Sequence, residues 1–237
     1  MSRASGWVKA LIVVLLGVAL AWNTIAVIVT EHLWYADLGY LGVFWKRAEA
    51  RVIVCVAAFA VTFAFVAINL LATRAASRLV STRAALMIAA ASGLAAAAAS
   101  YGSWMEFQQF VHAASFGKAD PIFGRDISFY VFRLPIIRQI HAGSRWVVGL
   151  TAASVILIYL VSGALVRFGR EQVEPGTPGG AAFGRRKRGR IVLEPIDARA
   201  KLHVCVLLGI GLCIVALGFA LSMWGLIYST RGVVTGA

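Results

Sequence analysis

Five stretches of this chain contain no aspartate, glutamate, lysine or arginine, and each is long enough to cross a lipid bilayer. They lie between Lys9 and Glu31, between Arg51 and Arg74, between Arg83 and Glu106, from Trp146 to Val166, and from Leu202 to about Tyr228. A hydrocarbon core about 30 Å thick needs roughly 20 apolar residues in a helix. Lipid offers no hydrogen bonds, so the backbone must satisfy itself within each segment, which a helix does. The expected fold is therefore all-α, a polytopic transmembrane bundle of five helices, with spans at about 10–30, 52–73, 84–103, 146–166 and 202–224. The last run exceeds what a span needs, so its helix tilts or ends near Trp224.

Composition agrees with this reading. Only 14% of the 237 residues are charged and 60% are apolar, whereas about a quarter of a soluble domain is charged. The net charge of +13 raises the question of nucleic acid. The basic residues flank the apolar runs instead, where orientation and headgroup contact require them, so the expected partner is the bilayer and not nucleic acid. Cys55, Cys205 and Cys213 all fall inside spans with no metal-ligand spacing, and read as small packing residues.

Arg3 and Lys9 followed by Ala19-Leu20-Ala21 resemble a signal peptide, but the apolar run continues through Trp22 to Thr30. An uncleaved anchor is expected. The N-terminus, the segment Ala72 to Arg83 and the segment Arg167 to Lys201 together hold 14 lysines and arginines. The other connections and the C-terminus hold nine, with six of the ten acids. Excess Lys and Arg marks the cytoplasmic side, which places the N-terminus inside and the C-terminus outside.

The third run, Ala84 to Ser103, holds ten alanines and Gly93. Small faces let helices approach closely, so this helix is expected inside the bundle, and Gly209, Gly211 and Gly218 suggest a similar face on the fifth. Residues 167–201 form a basic cytoplasmic loop in which Pro175 to Gly184 reads as a flexible linker. The run that follows it offers Arg185, Arg186, Lys187, Arg188 and Arg190 to anionic lipid headgroups at the cytoplasmic face.

Residues 104–145 connect the third and fourth spans. Phe107, Phe110, Val111 and Ala114 share a helical spacing, and Asp120-Pro121 breaks it. The stretch FGKADPIFGRDISFYVFRLP, Phe116 to Pro135, interleaves charges with five aromatic rings. Rings beside polar groups belong at the bilayer boundary, and Trp34 to Trp45 has the same character, so the two are expected to cap one extracytoplasmic face. Ile136, Ile137 and Ile140 let the fourth helix begin before Trp146. The candidate functional residues of this loop are Glu106, His112, Asp120, Arg125, Asp126 and Arg133. Their spacing matches no metal or catalytic motif, and the aspartates are expected to pair with arginines or to cap turns; catalysis or metal binding is the alternative. Asn23 and Asn69 are candidates for interhelical hydrogen bonds, and His203 is an imidazole at the start of the fifth span. No cofactor is implied, and no P-loop, dinucleotide fingerprint or nucleophile elbow is present.

Four stretches, LWYADLGYLGVFWKR (Leu33 to Arg47), the Phe116 to Pro135 segment, ARAKLHVCVL (Ala198 to Leu207) and YSTRGVVTGA (Tyr228 to Ala237), resemble the bacterial uncharacterised protein family 0182, which comprises large multi-spanning membrane proteins. The resemblance implies seven helices followed by a large domain outside the cell, and so an N-terminal fragment here. It implies no catalytic residues. The expected function is a plasma-membrane anchoring and interaction module of the cell envelope, with a possible envelope protein partner. The alternatives are a transporter or lipid-handling subunit, suggested by the small-residue third helix and the basic inner loop although the spans lack the charged residue that ion and proton transporters usually carry, and an envelope enzyme built on the Asp120 to Asp126 loop.

Overall fold

A computed structural model describes residues 2–165, 168–171, 190–193 and 197–226. The chain is an all-α bundle with six α-helices among the described residues: α1 (Ser2–Asp37), α2 (Leu41–Ala72), α3 (Thr82–Ser100), the short α4 (Trp104–Val111), α5 (Leu134–Val161) and α6 (Ala198–Met223). Five of them are long and apolar enough to cross a membrane, α5 together with a π-helical turn at Phe129–Arg133 that leads into it. The segment 104–145 is therefore mostly helical. α4 already stops at Val111, ahead of Asp120-Pro121, and α5 begins at Leu134.

Residues 1–53 and 54–237 form two compact units. In the first, α1 turns into α2 through Leu38 to Tyr40. Tyr40 N–H donates to Tyr35 O (2.8 Å) and Gly39 N–H to Ala36 O (3.1 Å). Gly39 adopts φ +76°, the left-handed geometry that closes a helix end in this way at little cost for glycine. Arg47 forms an ion pair with Glu31 and lies over the Tyr35 ring. His32, Phe44 and Trp45 meet edge to face beside it.

In the second unit, Val66 and Leu70 of α2, Ala85 and Ala89 of α3, Val155 and Tyr159 of α5, and Leu207 of α6 share one core. Lipid is as apolar as these side chains, so close packing rather than dehydration holds them together. The Ala85, Ala89, Gly93 face of α3 is buried, and a Cβ on Gly93 would stand 2.9 Å from the Phe59 ring and 3.1 Å from its carbonyl oxygen. The rest of α3 corrects the expectation that it lies inside the bundle: Met87 is 72% and Leu94 63% exposed. Of the α6 glycines, Gly218 alone meets a neighbour among the described residues. Gly209 and Gly211 face open space, so the three glycines do not form one contact face.

Helix ends follow local chemistry. Ser81 accepts from Ala84 N–H at the start of α3, and Asp197 from Arg199 N–H at the start of α6, each satisfying an orphan donor of a first turn. α5 closes on Gly163 with the same two-bond pattern as α1. Between α5 and α6 a two-stranded antiparallel ladder pairs β1 (Phe168–Glu171) with β2 (Arg190–Leu193), an element the reading of residues 167–201 as a loop does not anticipate. Arg190 opens β2, opposite Glu171, whereas Pro175 to Gly184, Arg185, Arg186, Lys187 and Arg188 lie outside the described residues.

Candidate functional site

The connection from α3 to α5 is built around two carboxylates. Asp120, buried, accepts from Phe123 N–H (2.6 Å) and Tyr130 Oη–H (3.3 Å). Its own N–H donates to Arg125 O (2.7 Å), and Gly124 N–H returns to Asp120 O (2.9 Å). The turn between them needs Gly124 at φ +63°, a conformation other residues rarely adopt. Asp126 accepts from Ser115 Oγ (2.5 Å), Phe116 N–H (3.2 Å), Gly117 N–H (3.0 Å) and Ser128 N–H (2.8 Å). The Ser115 hydroxyl first, then the Ser128 hydroxyl and N–H, hold the Asp126 carboxyl well below the usual carboxylate range. Both aspartates thus cap turns. Among the described residues the ion pair is Glu31 with Arg47, and neither aspartate pairs with an arginine.

Arg125 packs against rings instead. Its guanidinium carbon stands 4.8 Å from the centroid of Phe129 and 5.0 Å from that of Trp224, and the two rings meet edge to face at 5.0 Å. Cation–π contact on two rings fixes the guanidinium without neutralising it, and ties the loop to Trp224, the C-cap residue of α6. Below this clamp Tyr130, Leu134 and Leu221 form a small apolar cluster. The π turn between Phe129 and Arg133 has a local cause in Pro135. That residue has no N–H for the carbonyl four residues earlier and its ring crowds it, and Leu134 N–H bonds Phe129 O in the wider pattern. Single π turns of this kind recur at functional sites.

A concavity of about 250 Å³ opens beside the turn, with Arg125, Asp126, Arg133, Ser115, Ser128 and Phe129 in its wall. Three of the six candidate loop residues are therefore brought together, and three stand elsewhere. Asp120 is buried under the turn, and His112 is the exposed C-cap residue of α4. Glu106 lies in the first turn of α4, with Oε2 closed off from solvent and without a hydrogen bond among the described residues. No group of three or more His, Cys, Asp or Glu side chains that would hold a metal occurs among the described residues.

A second polar arrangement crosses the helices. Asn69 Nδ2 donates to Phe65 O (2.7 Å), which leaves its Oδ1 to accept from His203 Nε2 (3.1 Å); His203 Nδ1 then accepts from Tyr159 Oη–H (2.9 Å). One tautomer satisfies all three contacts. Nearer the other end of α6, His141 Nε2 reaches Ile214 O at 2.8 Å. Glycine at position 218 leaves room for that ring as it stands; a Cβ there would lie 2.9 Å from His141 Cε1 and make the ring shift. Asn69 and His203 carry a polar signal in the sequence. Tyr159 and Trp224 are hidden within apolar runs, and nothing local announces their partners.

The model of the Uncharacterised protein family (UPF0182) matches residues 8–237 of the chain. The chain belongs to UPF0182. A UPF0182 protein of Synechococcus sp. (strain JA-3-3Ab) is 34% identical over 220 residues, covering 92% of this chain and 23% of that protein. UPF0182 proteins of Cupriavidus necator and Clostridium perfringens (strain SM101 / Type A) are 29% and 28% identical, covering 100% and 86% of this chain and 25% and 22% of their own lengths. The chain thus spans about a quarter of the length of the curated UPF0182 relatives it matches. No solved structure matches it.

Proposed function

We propose that this chain is the membrane anchoring and interaction module of a bacterial cell-envelope protein. In this reading it sits in the plasma membrane with its N-terminus cytoplasmic and the residues after α6 outside. The observation that carries it is that polar side chains within the helices bond one helix to another: Asn69 and Tyr159 each to His203, and His141 to Ile214 O. A module built to hold helices together in lipid uses its polar groups in this way. The orientation rests on the 14 lysines and arginines of the N-terminal, 72–83 and 167–201 segments against nine elsewhere. Trp34 to Trp45 and Phe116 to Pro135 are then interfacial anchors outside the cell, and Arg185, Arg186, Lys187, Arg188 and Arg190 face anionic lipid inside. The remaining three quarters of a relative's length would be what such a module holds at the membrane.

Single cysteines placed at Ser115 and at Thr177 in a cysteine-free background test the orientation in intact cells. An impermeant maleimide is expected to label the first directly and the second only after permeabilisation. The reverse pattern rules the orientation out, and substrate-specific flux through liposomes holding this chain rules out an anchoring role.

A further inference from the structure

The concavity beside the π turn holds more fixed positive charge than its own carboxylate neutralises. Both oxygens of Asp126 are committed to the loop, bonded to Ser115, Phe116, Gly117 and Ser128. Arg125 is held in place by Phe129 and Trp224 and forms no ion pair with a carboxylate among the described residues. Arg133 leaves the π turn into the same concavity and forms no ion pair or hydrogen bond among the described residues. Two arginines, one with its guanidinium pre-positioned by aromatic rings, thus line a concavity of about 250 Å³ at the start of a helix long and apolar enough to cross a membrane.

We propose that Arg125 and Arg133 bind a phosphate group in this concavity. Guanidinium presents paired N–H donors that match the oxygens of a phosphate, and a second guanidinium matches its remaining charge. Rings and arginines at the end of a spanning helix also lie where headgroup phosphates lie. An anionic phospholipid and a soluble phosphate offer the same chemistry, and experiment separates them.

The chain in detergent micelles, supplied with equal amounts of phosphatidylglycerol and phosphatidylcholine, is examined by native mass spectrometry, and inorganic phosphate is titrated calorimetrically without lipid. Arg133→Gln is the informative variant, because Arg133 supports no described contact; circular dichroism checks its fold. For a lipid headgroup, the wild type retains phosphatidylglycerol over phosphatidylcholine and Arg133→Gln loses about tenfold of that preference, the weight of one charge-assisted contact. Arg133→Lys falls between them. For a soluble phosphate, the two lipids are retained alike and inorganic phosphate gives a heat that Arg133→Gln removes. Equal retention with no such heat overturns the proposal. So does a phosphatidylglycerol preference that survives both Arg133→Gln and Arg125→Gln, because basic residues elsewhere then account for it. Neither result bears on the orientation test, which labels cysteines and does not depend on lipid identity.

Discussion

His203 Nε2 stands 3.1 Å from Asn69 Oδ1, a hydrogen bond between residues 134 positions apart in the chain. Through Tyr159 Oη the same imidazole joins a third helix. Hydrogen bonds between membrane helices average roughly 0.6 kcal/mol and reach about 1.7. Asn69→Ala and His203→Ala are each expected to lower stability within that range in mixed-micelle unfolding. The double variant should lose less than the sum, because one bond is removed twice.

Glycines on α3 and α6 separate close packing from open surface. Gly93→Ala pushes a methyl against the Phe59 backbone, and Gly218→Ala drives His141 from the Ile214 carbonyl. Overpacking of this kind costs about 1–3 kcal/mol. Gly209→Ala and Gly211→Ala meet nothing within 4 Å and are expected to be neutral or slightly stabilising. A melt of all four variants side by side checks the division.

The loop around Asp126 is expected to resist acid. Its carboxyl binds a proton less readily folded than unfolded, so its stabilisation is complete above the ordinary carboxylate pKa and is lost only as pH falls through the depressed folded value. The amides of Phe116, Gly117 and Ser128 should therefore stay protected from hydrogen exchange at about pH 4, near the ordinary carboxylate value. Asp126→Asn should expose them at neutral pH.

Glu31 and Arg47 join α1 to α2 within the first unit. The arginine is the better covered of the two, at 13% against 36% side-chain exposure. Exposed pairs contribute about 0.2–1 kcal/mol and breaking a buried one costs about 3–5, so Glu31→Gln should fall between, at roughly 1–2 kcal/mol. Raised salt should weaken the wild type more than the variant.

Architecture was legible because lipid imposes it: a run free of charge and about 20 residues long has few other ways to satisfy its backbone. The mix of charges and aromatic rings in the Phe116 to Pro135 loop was legible for the same reason. Its wiring was not. That Arg125 would choose the rings of Phe129 and Trp224 over the neighbouring Asp126 depends on α6, about a hundred residues further along the chain. The open side of α3 was equally invisible, because alanine content shows that a helix can pack closely and not on how many faces it does.

The π turn from Phe129 to Arg133 also sets a rotational phase. An ordinary helix advances about 100° per residue and a π turn takes up about one extra residue in a wider turn, so forcing these same residues into regular α geometry would swing everything before them by about that angle about the axis of α5. Arg125 would leave Trp224, with every side chain intact. The width of this turn, more than any single side chain, aims the loop.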